Sequence, residues 1–220
     1  TAEEIHQKLE LAGINLSDDS SCCVATGYGR ISVPYADKTV TEITCHALGA
    51  VHLFQQPDLT VIDIGGQDTK IIQIEQGFVK DFIMNDKCAA GTGRFLEVMA
   101  NTLSLHPNKM FDLARLGSDT TISSMCTVFA ESEVIGLIGK GEPKENIAYA
   151  VVNSTIRKVA AQVSRMNGEM STFCLTGGLC ECEYIREALS KELGKEVISC
   201  PDARYAGAIG AALSAMKIRK

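Results

Sequence analysis

The chain has 220 residues, of which 45% are hydrophobic and 22% are charged, values typical of a globular protein with one or two domains. Its net charge of -6 argues against nucleic acid binding, because the sequence supplies no basic face to neutralise phosphates. No apolar run approaches the roughly 18 to 20 residues that span a membrane, so neither nucleic acid nor a membrane is expected as a partner.

Apolar periodicity along the chain alternates between that of helices and that of strands, which predicts an α/β protein. We expect helices over residues 1–14, 37–54, 88–104, 108–115, 126–139, 144–167 and 204–216, and one more after residue 178. We expect strands over residues 22–27, 59–65, 69–75, 78–84, 172–176 and 196–200. The short turns between the three strands from 59 to 84 predict antiparallel hairpins.

The first candidate site is the turn Asp63-Ile64-Gly65-Gly66-Gln67-Asp68, which lies between two predicted strands. A carboxylate at a strand end can hold Mg²⁺ directly or through water. Two glycines in the turn let backbone N–H groups approach a phosphate. Taken alone, this pattern is more often an ordinary tight turn.

Three other segments carry a similar ambiguity. Thr176-Gly177-Gly178 follows an apolar strand and fits either a nucleotide contact or a strand-to-helix turn. Residues 206–212 form a helix of small residues, which permits close packing against a ligand or against another helix. Glu42 and His46 are four residues apart and therefore share one face of a helix.

In this order, the four segments resemble the ATPase superfamily of actin, the heat-shock chaperones and the sugar kinases. The resemblance implies an actin-like (ribonuclease H-like) fold of two similar subdomains, one from residues 1–57 with 203–220 and one from 58–202. It further implies that Glu42 positions the attacking water, that Asp63 holds Mg²⁺, and that Gln67 also belongs to the catalytic set. The residues expected to contact ATP or ADP are Gly65, Gly66, Gln67, Asp68, Thr176, Gly177, Gly178 and Gly207.

That superfamily begins with a strand and an Asp-x-Gly-Ser/Thr turn that grips the β- and γ-phosphates. This sequence starts instead in the helix expected after that turn. We therefore expect the first subdomain to be truncated at its N-terminus. If the chain is a fragment, the parent protein is a full ATPase; if it is complete, the first phosphate loop is missing and hydrolysis is in question.

Nine cysteines, an odd number without a CxxC pair, favour free thiols in a reducing cytoplasm. Cys88 and Cys126 each stand where a polar turn gives way to a helical pattern, and a helix N-terminus stabilises a thiolate. Gly91 and Gly93 leave the first turn after Cys88 bare, so a bulky anionic cofactor can approach. Two thiolates per chain fill half of a 4Fe–4S cluster, and a two-fold axis supplies the rest. From the pattern alone, two buried or reactive thiols are the more common interpretation.

The segments NDKCAAGTGRFLEVMA and MCTVFAESEVI, with DIGGQDTK and ADKTVTEITCHALGA, resemble the activators of 2-hydroxyacyl-CoA dehydratases. The ATPase subunits of benzoyl-CoA reductase belong to the same family. The resemblance implies a homodimer that holds one 4Fe–4S cluster through Cys88 and Cys126 of each subunit. It also implies ATP-driven transfer of one electron to a dehydratase component, with reduced ferredoxin or flavodoxin as donor, in an anaerobic cytoplasm.

Two alternatives stay open beside the activator. A small-molecule kinase of the same superfamily shares the nucleotide loops but has no need for the two cysteine motifs. A non-hydrolysing iron–sulfur redox or scaffold protein fits a chain that lacks the first phosphate loop. Cys180 and Cys182 depart from the pattern of the family, and we interpret them as incidental thiols beside the nucleotide site rather than as cluster ligands.

Overall fold

The structure, a computed structural model, describes residues 2–16, 18, 21–123, 126–166 and 172–218. Its α-helices are α1 Ala2–Leu11, α2 Glu42–Phe54, α3 Gly93–Thr102, α4 Pro107–Ala114, α5 Thr127–Gly139, α6 Lys144–Val163, α7 Glu183–Leu193 and α8 Ala206–Ile218. Its strands are β1 Val24–Ala25, β2 Lys38–Thr39, β3 Leu59–Ile64, β4 Thr69–Glu75, β5 Phe78–Asn85, β6 Thr172–Gly177 and β7 Val197–Ile198. Short 3-10 helices cover Arg30–Ser32 and Pro201–Tyr205. No helix in these ranges has the length and apolar character needed to cross a membrane.

The larger sheet has the strand order β5-β4-β3-β6-β7, and β1 pairs with β2 in a separate parallel pair. Strands β3, β4 and β5 are antiparallel, which confirms the predicted hairpins. Strand β6 runs parallel to β3, with Asp63 beside Thr176 and Ile64 beside Gly177. The two segments predicted to bind nucleotide therefore leave the sheet at the same edge.

Helices cover both faces of this sheet, so β3 and β4 are buried almost throughout. Ile62 and Ile64 point into the larger cluster, which contains the apolar residues of α3, α6 and α7. Val61 and Ile72 point the other way, toward the small residues of α2. The continuous apolar character of these strands follows from burial on both sides.

Helices α2 and α8 approach each other closely enough for their backbones to touch. A Cβ atom built on Gly49 would collide with the carbonyl of Ala206, and one built on Gly210 would collide with the carbonyl of Cys45. The small residues of the final helix therefore serve helix–helix packing, one of the two uses that the sequence left open.

Two predicted helix starts are wrong. Helix α2 begins at Glu42 rather than at 37, because residues 38–39 form strand β2 and the Thr41 hydroxyl caps the helix by accepting from the Thr44 N–H. Helix α3 begins at Gly93 rather than at 88, so Cys88 does not lie at a helix N-terminus. Residues 86–92 form a loop instead, which is described below with the site.

Candidate functional site

A buried lysine lies at the centre of the candidate site. Lys70 of β4 is 1% exposed. Its Nζ lies 2.6 Å from Asp68 Oδ1 and 3.4 Å from Asp63 Oδ2. The same Nζ lies 3.0 Å from Glu42 Oε1 of α2. Three of the residues predicted from the sequence thus meet around one ammonium group, which balances one of their three negative charges.

Asp63 is held from two further sides. The Thr176 hydroxyl donates to Asp63 Oδ1 over 2.7 Å, and both groups are buried. His46 Nδ1 lies 3.4 Å from the same oxygen without making a hydrogen bond, and His46 Nε2 lies 3.6 Å from Glu42 Oε1. Gly207 of α8 packs against this imidazole, since a Cβ there would lie 2.9 Å from Nε2. Helices α2 and α8 therefore meet beside the charged cluster.

These contacts shift the pKa of each partner in a consistent direction. The neighbouring His46, followed by Lys70, lowers the pKa of Glu42 from 4.5 to about 2 against the opposing effect of burial. Burial by itself lowers the pKa of Lys70, but the nearby carboxylates outweigh it and hold the pKa above 10.5. Burial also lowers the pKa of His46, and Glu42 and Asp63 raise it to a net value above 6.5. At neutral pH the cluster keeps an excess of negative charge.

The turn between β3 and β4 presents its tip to solvent. Gly66 and Gln67 are exposed, whereas Asp68 is 4% exposed. The Gly65 N–H donates to the Asp68 carbonyl over 2.9 Å, and the Tyr28 hydroxyl donates to Asp68 Oδ2 over 3.1 Å. The turn is thus held by its own backbone and by a side chain from the segment before β2, while its tip stays accessible.

The segment after β6 runs directly beside this turn. The Gly178 N–H donates to the Ile64 carbonyl over 3.2 Å. Gly177 has φ +84° and leaves no room for a side chain, because a Cβ would lie 2.5 Å from the same carbonyl. A cavity of about 740 Å³ opens next to Gly178, between α4 and α7, with Phe111 and Tyr184 among its lining residues. Its size is within the range of small-molecule sites.

Cys182 also lines this cavity. Burial is the main cause that raises the pKa of the Cys182 thiol, and it likewise raises that of Cys180. Both groups are therefore protonated at neutral pH, the form of an unreactive thiol.

The turn at 65–68 is joined to the segment that carries Cys88. The Gly93 N–H donates to the Gly65 carbonyl and the Arg94 N–H donates to the Gly66 carbonyl, each over 2.9 Å. Two N–H groups at the start of α3, which the sequence left free for a cofactor, are therefore bonded to this turn.

The loop before α3 is fixed by side chains of the sheet. The Asn85 amide donates to the carbonyls of Cys88 and Ala90 over 2.9 and 3.0 Å. The Thr69 hydroxyl donates to the Gly91 carbonyl over 2.6 Å, and Gly91 has φ +86°. These bonds use carbonyls that a helix from residue 88 would need, which explains why α3 starts later. Cys88 is partly exposed in this loop.

Cys126 stands at the N-cap of α5, as predicted, and is exposed. Val128 and Phe129, which follow it, are 66% and 65% exposed. All nine cysteines are free; Cys45 and Cys174 are buried, while Cys22, Cys23 and Cys200 are only partly buried. Within the described ranges, no group of three or more His, Cys, Asp or Glu side chains could hold a metal ion. A cluster bound by cysteines of two copies would not show as such a group in one chain.

The sequence-based prediction missed Lys70, His46, Tyr28 and Asn85 as site residues. For Lys70 a signal existed, because a lysine inside the apolar run TKIIQIE is almost never fully buried without a partner. His46 was placed on the face of Glu42 but was given no role. No local pattern singles out Tyr28, because its partner Asp68 lies 40 residues away, or Asn85, whose bonds to Cys88 and Ala90 depend on how the loop folds.

Comparisons with known proteins show the family of this chain. The profile of the BadF/BadG/BcrA/BcrD ATPase family matches residues 2–215. The (R)-2-hydroxyglutaryl-CoA dehydratase activating ATPase of Acidaminococcus fermentans is 46% identical over an alignment of 221 positions, which covers 98% of this chain and 83% of the relative. The crystal structure of component A of that dehydratase from Acidaminococcus fermentans has a TM-score of 0.89 at 44% identity, covering 99% of this chain and 83% of the other.

A structure of the activator of the 2-hydroxyisocaproyl-CoA dehydratase from Clostridium difficile, with bound ADPNP, is also similar. Its TM-score is 0.87 at 35% identity, and the match covers 99% of this chain and 81% of the other. The predicted α/β, actin-like ATPase fold and the resemblance to dehydratase activators are thereby confirmed. The division into residues 1–57 with 203–220 and residues 58–202 stays a prediction.

Proposed function

The chain belongs to the BadF/BadG/BcrA/BcrD ATPase family, and from this we propose that it is an ATP-dependent one-electron donor that activates a 2-hydroxyacyl-CoA dehydratase. One observation carries the proposal furthest. The turn proposed to bind phosphate is bonded directly to the segment that carries Cys88, through the N–H groups of Gly93 and Arg94. A change at the nucleotide therefore has a short physical route to the proposed redox centre.

The nucleotide is proposed to lie along the edge where β3 and β6 end. The exposed tip of the turn, Gly66 and Gln67, presents backbone N–H groups and an amide to the phosphates. Gly177 and Gly178 would face the ribose and base, with the buried Thr176 holding Asp63 behind them, and the 740 Å³ cavity beside Gly178 has room for the base. Gly65, Asp68 and Gly207 support this arrangement from the turn and from α8.

The charged cluster is proposed to perform hydrolysis. Three carboxylates around one ammonium leave an excess of negative charge, which a hydrated divalent cation would balance without direct ligation by all three. Asp63 is 2% exposed and already accepts from Thr176 and Lys70, so it would hold Mg²⁺ through water. The depressed pKa of Glu42 keeps its carboxylate ionised, as a group that orients the attacking water must be.

A 4Fe–4S cluster, held by Cys88 and Cys126 of two subunits, would supply a centre that accepts and releases single electrons. Both thiols are accessible at the surface, unlike the buried Cys45 and Cys174. The exposed Val128 and Phe129 beside Cys126 give a second copy an apolar surface to cover. Gly91 allows the tight backbone turn that shapes the loop of Cys88.

The coupling is proposed to start at the phosphate turn. When the γ-phosphate is present or lost, Gly65 and Gly66 shift, and their bonds to Gly93 and Arg94 move the start of α3. Asn85 and Thr69 hold the Cys88 loop to the same sheet, so the loop follows. We place the protein in an anaerobic cytoplasm, with reduced ferredoxin or flavodoxin as electron donor and the dehydratase as acceptor.

Anaerobic purification with a count of iron and sulfide per particle tests this proposal. We expect a dimer with about four irons, in line with ligation by four thiolates. Cys88→Ser and Cys126→Ser should each lose most of the iron, whereas the matched variant Cys22→Ser, at another partly exposed cysteine, should keep it. An iron-free protein under strict anoxia, or equal iron in all three variants, would overturn the proposal.

A further inference from the structure

A second cavity, of about 340 Å³, lies between β5, α6 and the loop of Cys88, and we call it the basic cavity. Part of its wall is apolar, formed by Ile83, Phe95 and Ile122. Asn85, Ala90 and Gly91 also line it, so it borders the loop but not the 740 Å³ cavity beside Gly178. Its volume lies at the lower end of the range for small-molecule sites.

Three cations line the basic cavity: Arg157, Lys158 and Arg165. None of them forms an ion pair within the part of the chain that the structure describes. Their charges are therefore not neutralised by carboxylates of the described residues. Unpaired positive charges around a concave, partly apolar site raise the local concentration of anions.

Gln162 is the second, independent observation. It lines the same cavity and is 4% exposed. Neither its Oε1 nor its Nε2 has a hydrogen-bond partner among the described residues. A buried amide without partners is costly, and such groups in native proteins are normally satisfied by protein, water or ligand. The carboxamide therefore points to a polar group inside the cavity.

We propose that the basic cavity binds a small amphipathic anion, an organic carboxylate or phosphate monoester with a short apolar tail. The anionic group would accept from Gln162 Nε2 and pair with Lys158 and Arg165. The tail would contact the apolar wall. This site is separate from the proposed nucleotide site; it borders the loop of Cys88 without including either cluster cysteine, and it does not depend on ATP hydrolysis.

Calorimetric titration of the purified chain tests this site. The probes are hexanoate and hexyl phosphate, with hexan-1-ol as the neutral match. Saturating ADP is present, so that the proposed nucleotide site is already occupied. We expect saturable binding of one hexanoate or hexyl phosphate per chain, and binding of hexan-1-ol at least tenfold weaker. No saturable binding of either anion, or equal affinity for the alcohol, would overturn the proposal.

Variants locate the site. Lys158→Gln and Arg165→Gln should each weaken binding of the anions by about tenfold or more, as expected for the loss of a hydrogen-bonded charge. The matched variant Lys140→Gln, an exposed lysine at the end of α5 that does not line the cavity, should leave it unchanged. Equal affinities in these three variants would place the probe elsewhere and contradict the proposal.

Gln162→Leu distinguishes a ligand site from a buried water. If the carboxamide serves the ligand, this variant binds the anions about tenfold more weakly, while its urea midpoint is equal or higher because two unpaired polar atoms are gone. If water alone satisfies Gln162, the urea midpoint of the variant changes but its affinity for the anions does not. That result would overturn the role of Gln162 as a ligand contact.

Discussion

Lys70→Met removes the ammonium group on which the charged cluster is built. Methionine has a similar length and fills the buried space, so the change mainly deletes charge. Asp63 and Asp68, which are 2% and 4% exposed, would then lack their cation. Breaking a buried ion pair costs about 3–5 kcal/mol, and since Thr176 and Tyr28 still donate to these carboxylates we expect about 3 kcal/mol.

Urea unfolding followed by circular dichroism measures this loss, with Lys80→Met as the matched control. Lys80 on β5 pairs with Glu75 over 2.9 Å, but both side chains are about half exposed, so its loss should cost at most about 1 kcal/mol. With a urea slope of about 2 kcal/mol per molar, Lys70→Met should lower the midpoint by more than about 1 M. Equal shifts in the two variants would refute the reasoning.

The pH dependence gives a second check on the same variant. The pKa of Glu42 is lowered from 4.5 to about 2, so its stabilisation is present above pH 4.5 and is lost as the pH falls through about 2. A shift of that size corresponds to about 3 kcal/mol, which solvent screening of the partly exposed carboxylate reduces to about 1–2 kcal/mol. Lys70 supplies only part of this, because His46 is the larger cause. The difference in free energy of unfolding between wild type and Lys70→Met should therefore become smaller from pH 7 to pH 3. A difference that stays constant would contradict a contribution of Lys70 to the lowered pKa of Glu42.

Three further changes test other contacts of the site. Gly49→Ala should lower the free energy of unfolding in urea by at least about 2–3 kcal/mol, because the new Cβ collides with the Ala206 carbonyl. The control Gly136→Ala, where nothing lies within 4 Å of the new Cβ, should be neutral or slightly stabilising. Equal effects of the two variants would contradict the packing of α2 on α8. The raised pKa of His46 gives stability that is present below pH 6.5 and is lost as the pH rises through the higher folded-state pKa. The urea midpoint of the wild type should therefore fall across that interval. An equal fall in His46→Gln would show that His46 is not the cause. Asn85→Ala should increase hydrogen exchange in residues 86–92 and lower the free energy of unfolding by about 1–2 kcal/mol. The control Asn101→Ala, at an exposed position of α3, should leave exchange in that loop unchanged. Equal exchange in both variants would show that Asn85 does not hold the loop.

The sheet and most helices could be predicted from the sequence because their signals are local. The apolar runs of β3 and β4 and the turn at Gly65-Gly66 contain the information for the hairpin within about seventeen residues. The resemblance to the actin-like ATPase superfamily depended on the order of the four segments predicted to surround the nucleotide. Together they located Glu42, Asp63 and Thr176, which the fold brings into one cluster.

Lys70, His46 and Tyr28 have contacts with segments that are distant in the sequence, whereas Asn85 bonds within its own loop. Lys70 has Asp68 as a partner within its own hairpin, but its contact with Glu42 comes from helix α2, which no window around β4 reveals. The helix start near Cys88 was wrong because Asn85 and Thr69 bond to carbonyls of the loop, and this tertiary effect outweighs helix propensity. Polar contacts across elements thus account for the main errors.

The central claim is that nucleotide binding is coupled to the redox centre through the turn at 65–68 and the start of α3. The most direct test is the reduction potential of the iron–sulfur cluster in the anaerobic dimer, measured with ADP and with a non-hydrolysable ATP analogue. The account predicts different potentials for the two nucleotides, together with a difference in cluster exposure to chelators. Identical potentials and identical exposure would contradict it.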